Sequence, residues 1–176
     1  MRFRIALFAV VAALLSAVSI SQEPSTAPPP ELKKLEWMVG DWVTNMKWLQ
    51  PGAEMEMPGT MKVEWDGQFL KTSSVMEAGP MKMTETQYLG WDAKSKKYVG
   101  YTFTNFAPTP RIERGDYDGT KLVGVSDPWD APGMPNIIGR GMIVRKNDNE
   151  GTFTLEFKNG DTWTKVAKGT YKRNAN

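Results

Sequence analysis

The sequence contains no cysteine and no histidine. Their absence excludes disulfide bonds, a thiol nucleophile and a Ser-His-Asp triad, and it removes the usual ligands of zinc and non-haem iron. Haem ligation by histidine is excluded for the same reason, and no tyrosine lies in a haem-binding motif. Glycine-rich phosphate loops and dinucleotide fingerprints are also missing. Burial alone must stabilise the fold, and we expect neither a metal nor a cofactor.

The first 21 residues have the pattern of a secretory signal. Arg2 and Arg4 precede an apolar run that ends in small side chains at Ser19 and Ser21, which suit a signal peptidase. The run is short for a membrane span, although an uncleaved anchor is the alternative, and no cysteine follows that could carry a lipid. We expect a bacterial protein that is periplasmic or secreted, with no stable membrane anchor after residues 1–21 are removed.

The charge balance does not indicate a polyanionic partner. The whole chain has a formal net charge of +2. Removal of the signal takes away Arg2 and Arg4 and leaves equal numbers of basic and acidic side chains. A protein without net charge has no overall attraction for nucleic acid or an anionic membrane, so we expect neither as a partner.

Residues 22–31 form a proline-rich linker that cannot pack a core, since they include the run QEPSTAPPP. After it, Leu32, Leu35 and Met38 are spaced three residues apart, which predicts a short amphipathic helix. We expect one folded domain from 32 to 173.

Beyond this helix, apolar and polar residues alternate in short segments. In one of them Phe153, Leu155 and Phe157 alternate with threonine and glutamate. Turn signals such as Asp66-Gly67 separate the segments and favour hairpins, because these turns need a positive φ. Eight to ten strands joined in this way predict an all-β, antiparallel meander that closes into an up-and-down barrel or packs as a sandwich.

Segment 126–136, SDPWDAPGMPN, is the one long connection. Its three prolines argue against a strand, and Trp129 within it looks exposed. We expect a loop at the mouth of the barrel, which acts either as a lid or as a covering flap.

Gly40-Asp41-Trp42 directly follows the predicted helix. This pattern resembles the Gly-x-Trp motif at the start of lipocalin-like (calycin) barrels. The resemblance implies that the tryptophan plugs one end of the barrel and that a basic residue of the last strand lies across it. It assigns Gly40, Trp42 and Arg173 to this plug, with Lys172 as the alternative base.

Several further motifs lie between 32 and 173. They are Leu35-x-x-x-Val39-Gly40-x-Trp42, Pro51-Gly52, Gly59-Thr60, Gly67-Gln68-Phe69-Leu70 and Gly90-Trp91-Asp92 with Lys97-Tyr98. Together they resemble an exported bacterial family, domain of unknown function 1579. The resemblance implies a barrel of about ten strands, similar to fatty-acid-binding and nitrobindin-like barrels. It assigns no activity and no catalytic residue. Trp91 replaces a tyrosine of the family pattern, which we expect to affect packing only.

Six methionines lie in or beside two neighbouring predicted hairpins. Thioethers alone can bind Cu(I) in exported copper-handling proteins. Methionine also fills irregular cores, and the stretch 54–61, EMEMPGTM, looks like a flexible, proline-ended loop. We therefore favour packing and predict no metal site. The methionines are Met55, Met57, Met61, Met76, Met81 and Met83.

Arginines in the predicted strands are candidates for binding an anionic group. If Arg140 and Met142 face inward, Arg140 is a buried cation that needs an anion. Glu113, Asp116 or a ligand carboxylate would supply it, and we favour a structural ion pair. The candidate ligand-binding residues are Arg140, Met142, Arg111, Arg114, Tyr101 and Trp65.

Three function classes fit the sequence. The leading hypothesis is an exported, non-enzymatic barrel that holds a small apolar or amphipathic molecule. The first alternative is a barrel hydrolase or isomerase that uses arginine and carboxylates such as Glu85, Glu113 and Asp116. The second is an envelope interaction module whose interior is filled by side chains. An empty interior separates the first two from the third, and turnover separates the enzyme from the binder.

Overall fold

The computed structural model describes residues 26–131 and 133–174. The expected signal at 1–21 and the first part of the expected linker lie outside this range. None of the helices within it is long and apolar enough to cross a membrane.

The N-terminal helical segment is shorter than its apolar spacing predicts. Helix α1 covers Pro30–Lys33, and a 3₁₀ turn covers Glu36–Met38. Leu35 separates them with a φ of −97°, which is outside helical geometry. Leu32 and Leu35 are nevertheless fully buried. The predicted amphipathic face therefore exists, but it is carried by two short turns.

Ten strands form a closed barrel in which every neighbouring pair is antiparallel. Consecutive strands pair with each other, except that β7 pairs with β10, and β1 closes the barrel by pairing with β12. This arrangement confirms the predicted all-β, antiparallel up-and-down barrel with a short N-terminal helix. The strands are β1 Gly40–Gln50, β2 Ala53–Asp66, β3 Phe69–Ala78, β4 Met81–Asp92, β5 Lys97–Thr104, β6 Arg111–Tyr117, β7 Lys121–Ser126, β8 Trp129–Ala131, β9 Met134–Ile137, β10 Gly139–Asn147, β11 Glu150–Asn159 and β12 Thr162–Arg173.

The hairpin turns lie where the sequence places them. Gly67 and Gly160 each have a φ of 58°, the left-handed conformation that glycine adopts without strain. At the β6–β7 turn the carboxylate of Asp118 accepts hydrogen bonds from the backbone N–H groups of Thr120 and Lys121, at 2.9 and 2.7 Å. These local interactions fix the hairpins and, through them, the register of the barrel.

The helical segment closes one end of the barrel. Its apolar side chains pack on the buried residues that line this end. The hydroxyl of Tyr98 donates a hydrogen bond of 2.8 Å to the carbonyl oxygen of Glu31, which ties the segment to β5. The core here is formed by Leu32, Leu35, Met38, Trp42, Val63, Leu70, Leu89, Tyr98, Leu122 and Tyr171.

The connection 126–136 contains two strands, so the prediction that it has none was wrong. Trp129 pairs with Ile137, and Ala131 pairs with Met134, in a two-stranded sheet of β8 and β9. The backbone N–H of Asn136 donates to the carboxylate of Asp130 at 2.8 Å, which stabilises the bend between the strands. Because β7 runs away from the helical end, this small hairpin lies at the opposite end, the mouth of the barrel.

The stretch 54–61 is part of β2, so the prediction of a flexible loop was also wrong. The β1–β2 turn lies earlier, at Gly52, whose φ is 79°. Pro58 lies inside the strand, opposite Asn45. Met57 pairs with Met46 of β1 and is 2% exposed. The methionines of this stretch therefore alternate with outward glutamates and face the interior.

Candidate functional site

The barrel encloses a cavity of about 430 Å³ between the helical end and the mouth. Trp42 and Tyr171 border it at the helical end, and Trp129 and Met134 of the β8–β9 hairpin border it at the mouth. Cavities of about 300–1,000 Å³ are typical of small-molecule sites. The interior is therefore hollow, which argues against the interaction module with a filled core.

Methionines form one wall of the cavity, along β1 to β4. Met46 pairs with Met57, and Met76 pairs with Met83, so the thioethers adjoin one another across the sheet. Such a wall is apolar and polarisable, and unbranched side chains let it adapt to the shape of a ligand. The lining methionines on these strands are Met46, Met55, Met57, Met61, Met76, Met81 and Met83.

Glycines form the facing wall, along β6, β7 and β10. Gly124 pairs with Gly115 on one side and with Gly141 on the other. A Cβ atom added at Gly141 would meet no atom within 4 Å, whereas one at Gly115 would collide with the carbonyl oxygen of Val123. The missing side chains at Gly124 and Gly141 therefore help to keep the interior empty.

A polar cluster interrupts the apolar lining on β4 to β6. The side-chain amide of Gln87 donates hydrogen bonds to Glu113 at 2.6 Å and to Thr102 at 3.1 Å. The Nε atom of Arg111 lies 3.6 Å from a carboxylate oxygen of Glu113. Gly100 lies beneath the Gln87–Glu113 bond, and a Cβ there would be 3.1 Å from Glu113. The absence of a side chain at Gly100 thus leaves room for this bond.

Glu85 is the remaining charged member of this cluster. Burial raises the pKa of its carboxyl group, while the guanidinium of Arg111 acts to lower it and the carboxylate of Glu113 to raise it. Its cross-strand neighbours are the neutral residues Ser74 and Thr104. Glu85 borders the cavity, so its carboxyl group faces the space that a ligand would occupy.

Arg111 connects this cluster to the mouth hairpin. Its guanidinium carbon is 5.7 Å from the centre of the Trp129 ring, within the range of a cation–π interaction. Its Nε atom is buried, and no hydrogen-bond acceptor lies within range among the described residues. A buried donor without a partner is costly, so this atom marks a weak point in the hydrogen bonding of the cluster.

A family model described as a protein of unknown function, DUF1579, matches residues 27–173. The chain belongs to this family. It is the family whose motifs the sequence resembles, and the match spans the whole barrel. No curated protein shows significant similarity to the chain.

Two solved structures show the same fold as this DUF1579 member. Rv2717c from M. tuberculosis has a TM-score of 0.64 and 14% identity, over 84% of this chain and 99% of that one. The S-type phycobiliprotein lyase CPES from Guillardia theta has a TM-score of 0.54 and 13% identity, over 85% and 99%. At this level of identity the similarity establishes the fold only.

The residues assigned to the plug lie together at the helical end. Trp42 is 1% exposed, and its ring packs edge-on against Tyr171 at 5.2 Å between centroids. Arg173, rather than Lys172, lies across the indole. Gly40 has a φ of 135°, and a Cβ there would collide with the guanidinium of Arg173, so only glycine fits.

The predicted ligand-binding residues are split between the inside and the outside of the barrel. Arg111 lies in the cavity wall, and Met142 borders the cavity. Arg114 is on the outer face, where its Nη1 atom donates to both carboxylate oxygens of Asp127 at 2.7 Å. Tyr101 is 45% exposed, also on the outside. Trp65 packs on the core of the helical end.

Arg140 lies on the outer face of β10, so the inward orientation considered for it was wrong. Its Nε atom donates to Glu156 at 2.7 Å, and its guanidinium carbon lies 4.4 Å from the centre of the Trp163 ring. The favoured ion pair exists, but neither Glu113 nor Asp116 is the partner. The inward face carries Gly139 and Gly141, which show no side-chain pattern in the sequence, so Arg140 was assigned to the wrong side.

Gln87 is the site residue that the sequence analysis did not identify. Leu89 is buried, and counting back by two along β4 gives Gln87 and Glu85 on the same inward face. The same count from buried Gly115 gives Glu113 and Arg111. Alternation could have placed these four residues together on one inward face, but a row of polar side chains ordinarily indicates the outer face of a strand.

Proposed function

We propose that this DUF1579 member is an exported, non-enzymatic protein that holds one small amphipathic molecule inside its barrel. The observation that carries the proposal is the hollow interior, which combines an extended apolar lining with a single polar cluster around Arg111, Glu113 and Glu85. The likeness in fold to a phycobiliprotein lyase supports a ligand-binding role. Export is supported by the pattern of residues 1–21 in the sequence.

The lining suits a molecule with an apolar body and one polar end. Methionine and aromatic side chains such as Trp48 and Phe157 would cover the body, and each buried methylene group contributes about 0.8 kcal/mol. The polar end would meet the cluster on β4 to β6, where hydrogen-bonding groups already converge. A few placed polar groups within an apolar pocket are what orient a ligand.

Substitution at Gly141 tests this proposal. Gly141→Phe directs an aromatic ring into the cavity from a position where a Cβ atom meets nothing within 4 Å, whereas Val144→Phe, on the alternate face of β10, adds the same ring outside. We expect the uncharged dye N-phenyl-1-naphthylamine to bind the unaltered protein and Val144→Phe at a one-to-one ratio. Binding to Gly141→Phe should weaken at least about tenfold. Equal binding by Gly141→Phe would contradict a site inside the barrel.

An enzyme is the second candidate, and the raised pKa of Glu85 beside the Arg111 guanidinium is the observation that favours it. Native mass spectrometry of protein purified from its own host would reveal a molecule that co-purifies. That molecule should be recovered unchanged after prolonged incubation with fresh protein. Conversion that disappears in Glu85→Gln would instead establish the enzyme.

A further inference from the structure

We propose that the cavity selects molecules that carry a protonated nitrogen, and that Glu85 is the counter-ion for this group. The inference rests on the proposed ligand-binding function and specifies the chemical class of the ligand. It follows from the charges inside the barrel, from the surroundings of Glu85 and from the chemistry of the adjoining wall.

The cavity has more acidic than basic side chains. Among the described residues that line it, Glu85, Arg111 and Glu113 are the only charged ones. Arg111 and Glu113 are a pair, with their closest charged atoms 3.6 Å apart, and Gln87 donates a further hydrogen bond to Glu113. Because the charges of Arg111 and Glu113 cancel, ionised Glu85 gives the interior one negative charge in excess.

The groups around Glu85 offset that charge only in part, because burial, the largest effect, and Glu113 raise the pKa of Glu85 while Arg111 acts to lower it. Its neighbours across the sheet, Ser74 on β3 and Thr104 on β5, are neutral, and the charged groups that face it from β6 are Arg111 and Glu113. Among the described residues, no side chain forms a hydrogen bond or ion pair with its carboxyl group. Burial therefore raises its pKa, and a bound cation would restore the ionised form.

The rest of the lining accepts a cation and rejects an anion. The aromatic ring of Phe106 at the mouth attracts a positive charge, and thioether sulfur is polarisable. An anion would have to compete with Glu113 for Arg111 and would lie close to Glu85. In the proposed arrangement the amine group contacts Glu85, and the apolar tail lies along the methionines of β1 to β4.

Three probes with the same ten-carbon tail separate these alternatives: decylamine, decanol and decanoate. Calorimetric titration of the full chain at neutral pH should show decylamine binding at least about tenfold more tightly than decanol, since a charge-assisted hydrogen bond to a buried carboxylate contributes that much. Decanoate should bind more weakly than decanol. Glu85→Gln should lose the preference for decylamine over decanol.

The pH dependence gives a second readout. The affinity for decylamine should rise as the pH rises through the pKa of Glu85, and binding should release protons to the buffer, because the bound cation favours the ionised carboxylate. Neither effect should occur in Glu85→Gln. Glu77→Gln on β3 is the matched control, since Glu77 is an exposed carboxylate that pairs with Lys82 at 3.0 Å outside the cavity.

The outcomes distinguish this inference from the function on which it rests. If decanol and decylamine bind equally, or if the amine preference persists in Glu85→Gln, the assignment of Glu85 as counter-ion is overturned while ligand binding stands. If none of the three probes binds and N-phenyl-1-naphthylamine does not bind either, both proposals are overturned.

Discussion

The guanidinium carbon of Arg173 lies 4.3 Å from the centre of the Trp42 ring. The same guanidinium donates hydrogen bonds to the carbonyl oxygens of Val39 and Trp37 at 2.9 and 3.0 Å, and the indole N–H of Trp42 donates to Met38 at 2.8 Å. The first and last strands of the barrel are thereby fastened to the helical segment that covers this end.

We expect Trp42→Ala to lower the free energy of unfolding by about 3–5 kcal/mol, because a large and fully buried aromatic ring is removed. Urea denaturation measures this loss. Phe69→Ala is the control, since Phe69 is 51% exposed and should cost less than about 1 kcal/mol. A loss at Trp42 no larger than that at Phe69 would show that the plug does not stabilise the barrel.

Arg140 should matter for stability and not for the ligand. Arg140→Met removes both the ion pair with Glu156 and the stacking on Trp163, which are partly exposed, so we expect a loss of about 1–2 kcal/mol in the free energy of unfolding. The affinity for N-phenyl-1-naphthylamine should stay the same. Thermal denaturation and dye titration of this variant check both statements. A loss of dye binding without a loss of stability would show that Arg140 contributes to the ligand site.

Glu85 should make the protein less stable as the pH rises. Acid denaturation has the opposite direction, since it destabilises a protein as the pH falls. Its pKa in the folded protein is raised above the ordinary value of 4.5, so the folded state binds this proton more tightly than the unfolded state. The stability that this proton provides is present below the unfolded pKa and is lost as the pH rises through the folded pKa. Glu85→Gln should therefore be more stable than the unaltered protein at pH 8, and the difference should disappear near pH 4. Denaturation midpoints of the two proteins at several pH values test this, and a difference that does not vary with pH would refute it.

The methionines at 55 and 57 should act as packing groups. Replacing Met55 and Met57 together by leucine conserves volume, so we expect the free energy of unfolding to change by less than about 1.5 kcal/mol. Competition against a Cu(I) chelator should give the same result for both proteins. Tight, stoichiometric Cu(I) binding that is lost in the double variant would establish the metal site instead.

The strand content and the plug could be predicted because their signals are local or follow a known motif. Phe153 and Leu155 alternate with polar residues and do face the interior. Turns such as the one at Gly67 need a conformation that few other residues adopt, so glycine identifies them. Trp42 stands in a motif whose role follows from the fold.

The polar cluster and the face of β10 could not be predicted in the same way. Gln87 and Glu113 are 26 residues apart in the sequence, and their hydrogen bond depends on how two hairpins are placed side by side. On β10 two of the inward positions, Gly139 and Gly141, are glycine and give no apolar signal, so the alternation that the sequence shows belongs mainly to the outer face. The hairpin of β8 and β9 was not predicted, because its prolines argue against strands and its paired segments are short.

The glycine wall makes the shape of the cavity easy to redesign. A Cβ atom is free of clashes at Gly141 and meets only ordinary contacts at Gly124, whereas at Gly115 it would strike the backbone of β7. A single substitution at 141 or 124 therefore reshapes the interior without disturbing the strands. We expect substitutions at these two positions to change the size of the ligand that the cavity accepts, while the barrel itself is kept.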